Sequence, residues 1–147
     1  MNSWFDITGM DSEDFSYNFE DIKKSSKMVE KVIEEEQKVV QDYKSFFIGG
    51  FSQGAIVTSH LGASYGHLLG GVIACSGFIP RETEINQPNL KLLVTNGTHD
   101  DLIDFTKAKQ SYERDPKLIN LQFHPMKNQG HTIDSQSIEL IRKFLQQ

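Results

Sequence analysis

The chain has 147 residues, a formal net charge of -5, 37% hydrophobic and 24% charged residues; this suits one folded domain, 1–147, burying about 70% of its unfolded surface, and excludes low-complexity, collagen-like and wholly disordered chains. No apolar run nears the roughly 18 residues of a membrane span. The acidic balance, with no basic cluster beyond Lys23-Lys24, argues against a nucleic-acid partner, whose phosphates need several cations together; the single cysteine, Cys75, excludes an internal disulfide framework or a cysteine-based zinc site.

In chain order, Met1 to Asp6 has neither a basic start nor an apolar stretch, so the expectation is a cytoplasmic protein without a secretory leader. The acid-rich stretch 11–21 reads as a solvated loop with helix-start charges. Over 17–43 the apolar residues Phe19, Ile22, Val29, Val32, Ile33, Val39, Val40 and Tyr43 recur at three- and four-residue steps, predicting an amphipathic helix that starts near Glu20. Four short apolar runs follow, at 45–49, 71–76, 90–95 and 119–124, and helix-length segments lie at 53–65, 104–114 and 133–145. Continuous rather than alternating apolar runs predict strands buried on both faces. Their alternation with helices predicts an α/β fold, a parallel sheet flanked by helices.

The stretch Gly50-Phe51-Ser52-Gln53-Gly54 is a G-x-S-x-G pattern between a strand and a helix. A serine on such a sharp turn is driven toward strained dihedrals, and Gly50 and Gly54 are expected to relieve crowding against neighbouring backbone. The turn presents the Ser52 hydroxyl at the carboxyl end of the sheet and at a helix N-terminus, where a developing oxyanion is stabilised.

A nucleophilic serine needs a base, and the base an orienting acid. Of the five histidines, His60 and His67 read as surface residues of or near the helix after the turn. His124 lies in or at the end of the last strand, and His99 in the loop after the third. His131, between the last strand and last helix, sits at the carboxyl edge where open α/β sheets bind ligands, and is the candidate base. Asp100 and Asp101, leaving the third strand, are both candidate acids, while Asp104 is the better helix cap. The order Ser52, then Asp100 or Asp101, then His131 is that of an α/β-hydrolase.

At these residues a resemblance emerges. Ser3-Trp4-Phe5-Asp6-Ile7, Gly49-Gly50-Phe51-Ser52-Gln53-Gly54, Ser76-Gly77-Phe78-Ile79-Pro80 and Gly130-His131 resemble, in order and spacing, the phospholipase/carboxylesterase family that includes acyl-protein thioesterases. The resemblance implies a serine hydrolase of esters or thioesters, with S-acylated proteins, lysophospholipids or small carboxylic esters as substrates and no cofactor or metal. It maps the nucleophile to Ser52, the base to His131 and the acid to Asp100, although Asn96 stands where the family usually has His and Thr98 at a commonly acidic position.

The resemblance also implies an N-terminally truncated α/β-hydrolase-type sheet, because family members carry further strands and a His-Gly loop ahead of the S-W-F-D block. On that reading the backbone N–H of Gln53 is the one identifiable oxyanion donor, and the strand at 45–49 offers an apolar edge suited to self-association. The alternative function is a catalytically weak or inactive homologue acting as a binding or regulatory module. Trp4 and Phe78, with Phe5 and Ile79, are candidates to line an acyl channel. Cys75 reads as core, and Asn96-Gly97-Thr98 as a glycosylation sequon without a secretory context.

Overall fold

Four consecutive strands stack in chain order into an all-parallel sheet: β3 (Phe47–Phe51), β4 (Gly71–Cys75), β5 (Lys91–Gly97) and β6 (Asn120–Met126). The computed structural model describes residues 2–11 and 14–147, in backbone only at 10, 11, 14 and 15. Ahead of the sheet lie a two-stranded antiparallel hairpin, β1 (Ile7–Asp11) with β2 (Asp14–Tyr17), and helix α1 (Phe19–Val40). Helices α2 (Gln53–Ser64), α3 (Phe105–Glu113) and α4 (Ser135–Leu145) occupy the three segments where helices were expected. This is a parallel sheet flanked by helices.

The inner strands carry the apolar runs. β4 is buried at every residue and β5 at all but Lys91. Successive side chains leave opposite faces of a strand, so Val72, Ala74, Leu92 and Val94 face the large core that includes Leu61, Tyr112 and Ile33. Ile73, Cys75 and Leu93 face the other way, onto Phe144 of α4. The outer strands differ from the expectation of two buried faces: β3 alternates exposed and half-buried residues, and β6 is mostly half-buried. Edge position explains this, since each has a neighbour on one side only among the described residues.

Two further expectations are corrected. The 11–21 stretch is not simply a loop, because its residues 14–17 pair with 7–11 in the hairpin; Asp14-Phe15-Ser16-Tyr17 alternates polar and aromatic, but over only four residues, and residues 12 and 13 lie outside the described residues. Helix α1 forms as predicted, capped by the Asn18 side chain on the Glu20 N–H. Its buried stripe, however, is Ile22, Ser25, Ser26 and Ile33, while Val32, Val39 and Val40 are exposed. The helix packs on α2 rather than across the sheet, so only a narrow stripe is covered. Within that stripe the hydroxyl of Ser26 bonds the Ile22 carbonyl and that of Ser25 the Trp4 carbonyl.

Candidate active site

The strand-to-helix turn after β3 puts Ser52 at φ 56°, ψ -117°, a sparsely populated backbone region that persists only where its surroundings over-determine it. Here the Ser52 N–H donates to the Cys75 carbonyl at 2.9 Å, and the Ser52 carbonyl accepts from Ile56 N–H. A Cβ on Gly50 would lie 2.1 Å from the Gly54 carbonyl carbon, so the turn closes only with glycine at 50. Gly54 is different: a Cβ there would meet only the Trp4 indole nitrogen at 4.0 Å, so the crowding expected of both glycines belongs to Gly50. The Ser52 side chain caps nothing in α2 and remains free for another partner.

That partner is His131. Its Nε2 lies 2.9 Å from Ser52 Oγ and its Nδ1 2.9 Å from Asp100 Oδ2. The Asp100 side chain is 0% exposed and that of His131 13%. Asp100 Oδ1 accepts the N–H groups of Leu102 and Ile103 at 2.9 and 2.8 Å, so the buried carboxylate has donors on both oxygens, as a buried charge requires. An acceptor at Nδ1 favours the tautomer with its proton there, leaving the Nε2 lone pair to receive the serine proton. The other candidate acid, Asp101, is exposed, and Asp104 caps α3 on the Lys107 N–H at 2.8 Å.

The parallel register of β5 on β6 aligns Gly97 with Met126, which sets the loops carrying Asp100 and His131 side by side. Gln53 opens α2, so its backbone N–H has no intrahelical acceptor. Its side chain grips the N-terminal segment, accepting from Trp4 N–H and donating to the Phe5 carbonyl, both at 3.1 Å. Trp4, 46% exposed, thereby walls a cleft of about 180 Å³ beside the serine turn, together with Val29, Ile48, Gly49, Gly54 and Val57. Phe78 lies elsewhere, its ring 5.4 Å from that of Tyr17 in the cluster of Phe5, Ile22, Ile56 and Val57. Sequence reasoning missed Phe51, whose ring centroid is 4.8 Å from that of His131; the only signal was its place beside Ser52 in the motif.

His60 and His67 stand apart. His67 is exposed and stacked on Tyr43. His60 is not on the surface: it is buried, with Nδ1 3.0 Å from Thr83 Oγ1 and its ring edge-on to Phe19. Burial, with Lys23 nearby, lowers its pKa to about 4. Burial also raises the Cys75 thiol, making it a poor nucleophile. Asn96 of the sequon is fully buried at the end of β5, its amide directed at the Gly97 and Ile103 carbonyls, out of reach of any modifying enzyme while the chain is folded.

The whole chain, residues 1–147, matches the sequence profile of the family described as Phospholipase/Carboxylesterase. The chain belongs to that family. Curated relatives within this family include acyl-protein thioesterase 1 homolog 1 of Dictyostelium discoideum, 30% identical over 99% of this chain and 67% of its own length. Another is acyl-protein thioesterase 1 of Yarrowia lipolytica, 28% identical over 100% of this chain and 69% of its own. This phospholipase/carboxylesterase chain thus spans about two thirds of the length of the relatives it matches. Among solved structures, Arabidopsis thaliana SOBER1 superposes with TM-score 0.88 at 23% identity, covering 99% of this chain and 73% of that one. Zea mays acyl-protein thioesterase 2 gives 0.79 at 19% identity, covering 98% and 71%. The shared fold is the α/β-hydrolase type.

Proposed function

We propose that this chain hydrolyses carboxylic esters or thioesters through an acyl-enzyme on Ser52. The observation that carries the reading is His131 bonded at both ring nitrogens, to Asp100 on one side and Ser52 on the other, each at 2.9 Å. His131 Nε2 takes the hydroxyl proton as Ser52 Oγ attacks the acyl carbonyl carbon. Asp100 holds the imidazole and stabilises the imidazolium that forms. The Gln53 N–H, at the positive end of α2, donates to the tetrahedral oxyanion. The imidazolium then protonates the departing alcohol or thiol, and a water activated by His131 releases the carboxylic acid and free Ser52.

The relatives named acyl-protein thioesterase favour S-acylated protein as the substrate class, with lysophospholipids and small esters as neighbouring chemistry. The cleft walled by Trp4 and Gly54 is an apolar surface able to take part of an acyl group; Phe78 does not line it. A cytoplasmic setting fits this substrate class, and among the described residues no helix is long and apolar enough to cross a membrane.

The test is active-site labelling with a fluorophosphonate, the adduct located by peptide mass, alongside turnover of a p-nitrophenyl ester and an acyl-cysteine thioester. The adduct is expected on Ser52 alone. Ser52→Ala and His131→Ala should each lower turnover by at least about 10³-fold. Either variant turning over at the wild-type rate, or a folded wild type that takes no label, would overturn the reading.

A further inference from the structure

The acid and the base are carried by two loops, 98–104 after β5 and 127–134 after β6, and their relative placement decides whether His131 reaches Ser52. Backbone bonds join the loops: Thr98 N–H to the Met126 carbonyl at 3.0 Å and His99 N–H to the Gln129 carbonyl at 2.9 Å. They touch so closely that a Cβ on Gly97 would lie 2.2 Å from the Gln129 carbonyl oxygen. Besides the Asp100–His131 pair, a second side chain, Thr98, also crosses. Thr98 Oγ1 accepts the Asn128 N–H at 3.0 Å, and Asn128 sits at φ 59°, in the left-handed region that asparagine enters more readily than most non-glycine residues. The same hydroxyl lies 3.1 Å from His99 Nδ1; donating its proton there leaves its lone pairs for Asn128.

Thr98 is exposed, so core packing does not account for it, and none of its hydrogen bonds goes to Ser52, Asp100 or His131. It stands two residues before the acid, and its bond partner Asn128 stands three before the base. We propose that Thr98 is a positioning residue. Its hydroxyl pins the turn at Asn128 and so holds His131 at the spacing that lets one imidazole meet both Asp100 and Ser52. The proposal rests on the Ser52–His131–Asp100 reading above.

It is tested on the full 147-residue chain with Thr98→Val, which keeps the shape and removes the acceptor, and Thr98→Ser, which restores it. Wild type, both variants and Ser52→Ala are compared for ester kcat and KM, for fluorophosphonate labelling rate and for thermal midpoint. Thr98→Val should slow kcat and labelling about five-fold with KM unchanged, while the thermal midpoint falls by only a few degrees, as loss of one exposed hydrogen bond allows. Thr98→Ser should recover the wild-type rate, which a purely steric role for the side chain does not predict. Thr98→Val at the wild-type rate, Thr98→Ser as slow as Thr98→Val, or a loss confined to KM would each overturn the positioning role. A Ser52→Ala chain labelled like wild type would instead overturn the underlying reading, and this proposal with it.

Discussion

Asp100 shows how one carboxylate can hold its own loop and face an imidazole at once. Oδ1 accepts two backbone N–H groups that shape its own loop, and Oδ2 faces His131. Asp100→Asn keeps an acceptor for the loop but offers an amide N–H to the imidazole, favouring the wrong tautomer. Ester turnover should fall by about 10³- to 10⁴-fold while circular dichroism and thermal midpoint stay near wild type; a loss of turnover matched by loss of fold would contradict this. His60 makes a different prediction. Its folded pKa of about 4 lies below the ordinary 6.5, so between those values the unfolded chain binds more protons than the folded one and stability falls as pH falls. Thermal midpoints should therefore drop from pH 6.5 toward 4, and His60→Gln should flatten that slope; an equally steep decline in the variant would place the acid sensitivity elsewhere. The sequence placed His60 in the helix correctly but not its burial, because Phe19 and Thr83, which enclose it, are distant in the chain.

At the scale of elements, the serine turn is where local sequence and local structure agree most closely. Gly50→Ala would force a methyl to 2.1 Å from the Gly54 carbonyl carbon, and should destabilise by about 3 kcal/mol or more, read as a lower urea midpoint. Gly54→Ala, with nothing nearer than 4.0 Å, should be neutral or gain up to about 1 kcal/mol from helix propensity. Equal losses in the two variants would refute the asymmetry. Helices α2, α3 and α4 were legible because each fills a helix-length segment after a strand run, α4 with an apolar face of its own, and the Asp104 cap was legible from its place ahead of α3. The hairpin was not, since its strands are only five and four residues long and gain their structure by pairing with each other. The outward-facing apolar residues of α1 were not legible either, because periodicity shows that a helix has a face but not how much of it a neighbour covers.

For the whole molecule, the sheet order β3-β4-β5-β6 places the strand that leads into Ser52 at an edge among the described residues. Phe47 and Phe51 are 38% and 39% exposed there, the kind of apolar edge that pairs with another chain. The 147-residue chain is expected to self-associate with rising concentration, and Phe47→Lys to reduce this in light scattering; a wild type that stays monomeric throughout would remove the expectation. The sequence by itself determined the serine turn, the β-α order and the chain order of Ser52, Asp100 or Asp101, and His131, because strand runs, helix faces and a glycine forced by a tight turn are consequences of local sterics. The family resemblance already pointed to Asp100; only the tertiary structure decided that Asn96 is sealed in a strand and that one imidazole meets side chains 31 and 79 positions away. Those distances close through strand register and loop-to-loop hydrogen bonds, interactions between segments whose pairing no single stretch of sequence encodes.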